Sequence, residues 1–283
     1  MRAPGGARVT RGQHFLRSSA IAQELVEQAG IGPDDLVVEI GAGTGRLTAP
    51  LGERARRVWA IESDHELAAR LERRFAGHPK VWILRGDARA VSLPREDYRA
   101  FGNLPFGITT DVFRRVLDDH ALTHLDVIVQ YEVARKRAAT WPATLLSATW
   151  APWWRSCFVR RLPAAAFDPP PSVDAGVLSV RRRDPPLLPR SDRRDFERLV
   201  RAGFRGSPRP VRAALRSALG AAEWRRFARD RGIPADATAR DLDPFDWIAL
   251  YRSVRRRWLS TRPDRPNERR SGRQSTGNTS EGP

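Results

Sequence analysis

The sequence predicts an α/β fold: a doubly wound, mostly parallel sheet, followed by a small helical domain. Three observations carry the layered part of that expectation. Short apolar runs alternate with amphipathic helical stretches through the first half, several runs end in glycine or a carboxylate, and short basic helical patterns take over after Pro185.

In chain order, residues 19–29 (SAIAQELVEQA) place Ile21, Leu25 and Val26 on one helical face and stop at Gly30. LVVEI at 36–40, VWAIE at 58–62, VWILR at 81–85 and LDVIVQ at 125–130 are too short for buried helices and rich in branched residues, so each predicts a buried strand. HELAARLERRFA at 65–76 spaces Leu67, Leu71 and Phe75 by four and predicts a helix. CFVRRL and VLSVR, within 157–180, flank the proline-rich FDPPPSV and predict an antiparallel pair at the sheet edge. Helices are expected over 192–204, 210–219, 222–231 and 245–258, the last with Asp243 as N-cap before Pro244. The expected domains are 1–184, a helical 185–259, and a disordered arginine-rich tail at 260–283, where apolar residues almost vanish.

At 41% hydrophobic, the 283 residues supply a sizeable core, which excludes wholesale disorder. The single Cys157 excludes an intrachain disulfide and a thiolate metal centre, and no metal is expected. No apolar run reaches the roughly 18 residues of a membrane span, and no export segment opens the chain, so a cytoplasmic protein is expected. The net charge of +17 is uneven: residues 1–180 carry +4 and residues 181–283 carry +13, nearly all of it arginine. Charge of that sign and density points to nucleic acid as partner, with a solvated arginine-rich surface as the plainer alternative.

Chemistry is expected beyond the carboxyl ends of the strands. The first strand runs into EIGAGTG at 39–45, whose glycines allow a tight turn and a close backbone approach. Arg46 stands where a dinucleotide fingerprint would carry its third glycine, which argues against a nicotinamide cofactor. Glu62 closes the next strand, where a carboxylate can accept from two ribose hydroxyls. Asp87 follows the third and can accept from the exocyclic amine of an adenine. Each acid alone is more often a cap or turn residue. A strand is also expected to end in FGNLPFGITTD at 101–111, where Asn103-Leu104-Pro105-Phe106 brings together a side-chain amide, a carbonyl outside any ladder and an aromatic face, a set suited to a flat base bearing an amino group. Standing alone, that motif would be a proline turn with a core phenylalanine. The histidines His65, His78, His120 and His124 are expected in helical or loop contexts, without catalytic roles. Core packing is the expected job of the tryptophans at 141, 150, 153 and 154.

In this order EIGAGTG, AIESD, GDA and NLPF, preceded by GQHFL at 12–16 and followed by FDPPPSVDAGVL at 167–178, resemble the rRNA adenine N6-methyltransferases over about residues 10–260. The resemblance implies the class I methyltransferase (Rossmann-like) fold, S-adenosyl-L-methionine as methyl donor and a C-terminal helical domain that helps to hold RNA. QYEVARKRAAT at 130–140 and LVRAGFRGSPRPVRAALRSAL at 199–219 are more similar to the Erm type. That type modifies one adenine in the peptidyl transferase region of 23S rRNA and confers macrolide, lincosamide and streptogramin B resistance. The resemblance assigns His14 and Leu16 to a segment closing over the cofactor, Gly41 to its methionine part, Glu62 to its ribose, Asp87 to its adenine, and Asn103 to the methionine end and target amine. His14 stands where most members carry Asn, and Phe106 where Tyr is usual. Candidate RNA contacts are Arg135, Lys136 and Arg137, Arg160 and Arg161, and Arg205, Arg209 and Arg212. A monomer acting on 23S rRNA is expected. The alternatives are a housekeeping dimethyltransferase of small-subunit rRNA and a non-catalytic nucleic-acid-binding factor on the same fold.

Overall fold

The computed structural model describes residues 13–260 apart from 105, 106, 108, 140, 141, 206 and 207; Phe106, Trp141 and the 261–283 tail lie outside the described residues. In chain order the first elements are β1 (Phe15–Leu16), α1 (Ser19–Ala29), β2 (Leu36–Ile40), α2 (Thr48–Arg54), β3 (Arg57–Glu62), α3 (His65–Arg74) and β4 (Val81–Arg85). There follow β5 (Tyr98–Asn103), α4 (Thr109–Asp118), β6 (Leu122–Gln130), α5 (Tyr131–Ala138), α6 (Leu145–Trp150), β7 (Trp154–Leu162), β8 (Phe167–Asp168) and β9 (Ala175–Arg182). The C-terminal helices are α7 (Arg193–Phe204), α8 (Val211–Ala214), α9 (Ala221–Arg231) and α10 (Pro244–Ser260).

Seven strands form one sheet in the order β4-β3-β2-β5-β6-β9-β7, parallel from β4 to β6 and antiparallel through β9 and β7. The branched apolar runs do this because both faces of the central strands are covered: all five residues of β2 are buried. The two faces alternate along β2. Leu36, Val38 and Ile40 join the core beneath α4, α6, α7 and α10, while Val37 joins the core beneath α1, α2 and α3. The C-terminal helices share the first of these cores with the sheet, so apolar packing runs unbroken from Val127 and Val180 to Phe196, Trp224, Trp247 and Tyr251.

Arg99 on β5 ties the end of α1 to the sheet. It donates to the Ala29 and Gly30 carbonyls at the helix C-terminus and faces Asp35 at 2.8 Å and Asp126 at 3.7 Å. His124, expected in a helix or loop, lies instead on β6. There burial, then Arg181 and Arg99, push its pKa down to about 4. The 210–219 stretch forms only the single turn of α8, whereas α10 begins as expected: Asp243 Oδ1 accepts from Asp246 N–H, and Asp246 Oδ2 from Asp243 N–H. Trp150, Trp153 and Trp154 are all buried in the core.

Gly203 shows how tightly α7 seats on α10, since a Cβ there would stand 2.2 Å from the Trp247 ring. In an open helix Gly→Ala stabilises by about 1 kcal/mol. Here Gly203→Ala should destabilise by about 1–3 kcal/mol through overpacking, read as a lower midpoint in urea denaturation; an unchanged or higher midpoint would show that the two helices can part at little cost.

Candidate functional site

The strand order reverses between β2 and β5, and the crevice outside their carboxyl ends is where an open α/β sheet takes a ligand. The two strands are pressed close there. A Cβ on Gly102 would lie 2.5 Å from the Ile40 carbonyl oxygen, and one on Gly41 would meet the Asn103 carbonyl oxygen at 3.6 Å. The structure thus brings together the glycine turn after β2 and the Asn103-Leu104 segment at the end of β5. Gly41, Gly43 and Gly45 all have positive φ, and the turn could not take this path with side-chain-bearing residues at low cost. A Cβ at Gly43 would in addition stand 2.8 Å from the Phe15 ring.

That contact shows what β1 does. The strand pairs antiparallel with β8 in the FDPPPSV segment, so two motifs far apart in sequence make one strap lying on the glycine turn. Leu16 is buried beneath it. The His14 carbonyl accepts from Asn103 Nδ2 at 2.7 Å, and the His14 ring turns away, its Nδ1 2.8 Å from the Pro169 carbonyl oxygen. His14 therefore reaches the site through its backbone, which any residue could supply. A carbonyl can only accept, so the bond settles which way the Asn103 amide faces: Nδ2 to the strap, Oδ1 away from it. Leu104 N–H is used by the Ile128 carbonyl.

Three carboxylates stand along this edge in three environments. Glu62 is 4% exposed, and its two oxygens accept from Gly43 N–H at 2.7 Å and Asp64 N–H at 2.8 Å. It braces the glycine turn and keeps a lone pair on each oxygen for a hydroxyl. Asp87 lies nearer solvent, with both oxygens on Arg89, which holds its carboxyl below the usual range. Glu39, one residue before the end of β2, is 1% exposed, and among the described residues neither of its oxygens, nor Thr48 Oγ1, has a hydrogen-bond partner. Burial pushes it up to about 8; the neighbouring Thr48 opposes this in part, and Glu62 adds to it. Sequence reading assigned no role to Glu39, Arg89 or Phe15. A carboxylate inside LVVEI was the visible sign of the first, whereas nothing distinguishes Arg89 among so many arginines.

The donors and acceptors along the edge fit S-adenosylmethionine: a diol acceptor at Glu62, an amine acceptor at Asp87, and a backbone cradle at Gly41 beside Asn103. Among the described residues no cluster of three or more His, Cys, Asp or Glu could hold a metal ion, and no helix is long and apolar enough to cross a membrane.

The basic candidates fall into groups. Arg160 and Arg161 face carboxylates, Glu24 at 2.9 Å and Asp174 at 2.5 Å. Arg161 and Arg135 also lie over the Tyr131 ring at the head of α5, at 4.8 and 5.7 Å. Lys136 is exposed on the same helix, and Arg137 is half-buried. Arg205, Arg209 and Arg212 are exposed, with no ion-pair partner among the described residues.

Comparison with known proteins agrees with this geometry. A family model described as Ribosomal RNA adenine dimethylase matches residues 6–255. The mycinamicin-resistance protein MyrB of Micromonospora griseorubida is 34% identical over 258 residues, 91% of this chain and 82% of its own length. An rRNA methyltransferase of Streptomyces thermotolerans is 34% identical over 254 residues, 87% of this chain and 83% of its own. Among solved structures, the 23S rRNA methyltransferase ErmE superposes with a TM-score of 0.78 at 28% identity, covering 85% of this chain and 99% of that one. A dimethyladenosine transferase from Plasmodium falciparum shares the fold, with a TM-score of 0.71 at 20% identity, covering 86% of this chain and 98% of that one.

The buried Glu39 gives a testable pH dependence. Its folded pKa, about 8, lies above the ordinary 4.5, so the protonated carboxyl contributes stability that is full below the lower value and lost as pH rises through the higher. Glu39→Gln stays neutral throughout. Its melting temperature relative to the native protein should therefore rise between about pH 5 and about pH 9; a difference independent of pH would mean that Glu39 ionises in place.

Proposed function

The chain belongs to the ribosomal RNA adenine dimethylase family, and from that premise we propose that it methylates N6 of a single adenine in the peptidyl transferase region of 23S rRNA. It is an S-adenosylmethionine-dependent rRNA adenine N6-methyltransferase. The 23S target draws support from the likeness to ErmE, and macrolide-type resistance as the biological outcome from the likeness to MyrB. Such a target implies work in the cytoplasm, with a monomer as the acting form.

The observation that carries the mechanism is the orientation of Asn103. S-adenosylmethionine, when bound, supplies an activated methyl group on a sulfonium centre. The adenine amine is a poor nucleophile because its lone pair is delocalised into the ring. With Nδ2 held by the His14 carbonyl, Asn103 presents Oδ1 to one amine hydrogen, and the Leu104 carbonyl takes the other. Two acceptors on the two N–H bonds favour a pyramidal nitrogen and direct its lone pair. Phe106 supplies the stacking face for the flipped base. Catalysis is positioning and local electrostatics, with no general base ahead of transfer. The strap of β1 and β8 is the part of the site that orients the amide.

Methyl transfer from labelled S-adenosylmethionine to protein-free 23S and 16S rRNA, mapped by primer extension, tests the reading. One stop in the 23S peptidyl transferase loop is expected; label confined to 16S would overturn the target. Asn103→Ala should lower transfer by at least about a hundredfold, the scale of losing one preorganised group, with folding intact by circular dichroism. Near-normal turnover would remove Asn103 from the mechanism.

A further inference from the structure

Many of the arginines are paired with acids. Arg99, Arg160, Arg182, Arg193, Arg231 and Arg255 each face a carboxylate. One cleft of about 250 Å³, away from the glycine turn, breaks that pattern. It lies where the end of α5, the end of α6, the start of β7 and the end of β9 meet the first turn of α10. Arg137, Arg155 and Arg183 line it, and among the described residues none of the three has a carboxylate partner. The acids closest in sequence to Phe245, Asp243 just before α10 and Asp246 within it, are spent on each other's backbone N–H groups, and Asp246 also takes Arg231.

Two of these guanidiniums are held in place. Arg183 Nε donates to the Ala151 and Trp154 carbonyls at 2.8 and 3.2 Å, and its guanidinium lies 5.8 Å from the centre of the Phe245 ring. Arg137 Nη1 donates to Thr144 Oγ1 at 3.4 Å. Burial pushes the pKa of both downward, and like charges add to this: Arg114 for Arg137, Arg155 for Arg183. Arginine keeps its proton regardless, so the cleft holds positive charge that the fold itself leaves uncompensated. Phe113, Trp150, Trp154 and Phe245 contribute aromatic walls, and Phe245 is 44% exposed.

We propose that this cleft is a second RNA subsite, in which Arg137, Arg155 and Arg183 take a backbone phosphate of the substrate while an adjacent unpaired base stacks on Phe245. The occupant follows from the walls: a flat, anionic, partly apolar group, which single-stranded RNA supplies at every nucleotide. α5 links this subsite to the catalytic edge, since Tyr131 heads the helix beside the site and Arg137 ends it at the cleft. An eight-residue helix spans about 12 Å, on the order of two nucleotide steps along an extended strand. The inference rests on the rRNA methyltransferase reading and adds a place on the protein for RNA flanking the target.

The test is the salt dependence of binding to protein-free 23S rRNA by the full chain. Each phosphate contact contributes about 0.7–0.9 to the slope of log K against log salt. Arg155→Ala, at an exposed position, and Arg183→Ala should each weaken binding several-fold and lower the slope, and the double variant should lower it by about the contribution of one phosphate. Phe245→Leu should weaken binding with the slope unchanged. Affinity for S-adenosylhomocysteine should be untouched in all of them. Arg57→Ala, at the start of β3 and five strands from β7 in the sheet, removes the same charge and serves as control. Cleft variants indistinguishable from Arg57→Ala would overturn the subsite. A native protein that bound no rRNA would instead overturn the reading beneath it.

Discussion

The close approach of β2 and β5 at the switch point is the constraint on which the rest of the structure depends. Gly102 permits it, because any Cβ would meet the Ile40 carbonyl oxygen at 2.5 Å. Once the strands are that near, Gly41 lies against the Asn103 backbone and the glycine turn borders the amide segment. The strap then completes the arrangement. Phe15 rests on Gly43, β1 pairs with β8, and the His14 carbonyl orients Asn103. Backbone geometry at one crossing thus sets the direction in which a side chain far along the chain from the turn presents its oxygen.

The three edge carboxylates show how burial and partners, more than residue type, decide charge. Glu62 and Glu39 are both buried, yet only Glu62 has backbone N–H groups on each oxygen. With no such donors, Glu39 retains its proton into the neutral range. This keeps two negative charges from standing behind one glycine turn, which would push the turn and the Glu62 brace apart. Asp87 is ionised because Arg89 covers it, and a ligand amine arriving there must share or displace that guanidinium.

Much of this was legible in the sequence. β2 and β4 and the helix at 19–29 fall on the residues expected, because alternating burial and glycine stops leave clear local marks. The positions of Glu62, Asp87 and Asn103 at successive strand ends followed from topology alone. What could not be read were contacts between distant segments: the His14 carbonyl on the Asn103 amide, Phe15 on Gly43, and the β1–β8 pairing that creates both. His124 was misplaced for a related reason. LTHLD begins β6 with polar residues, and only the lattice of Arg99, Arg181 and Asp126 around it shows that these positions are partly inside.

Net charge drew attention to nucleic acid, but the location of binding depends on which arginines remain unpaired. An arginine already facing a carboxylate has little to gain from a phosphate, since the new contact must replace an old one of the same kind. By that measure Arg160 and Arg161 are weaker candidates than their nearness to the catalytic edge suggests. Arg205, Arg209 and Arg212 on the surface and Arg137, Arg155 and Arg183 in the cleft are stronger ones. The surface group is already solvated and gains chiefly through counterion release. In the cleft, Arg137 and Arg183 are half out of water, with like charges nearby, so an arriving phosphate relieves a cost that the folded chain already carries. A basic protein can therefore bind RNA through a small, specific fraction of its charge, and that fraction is set by the distribution of aspartate and glutamate as much as by that of arginine.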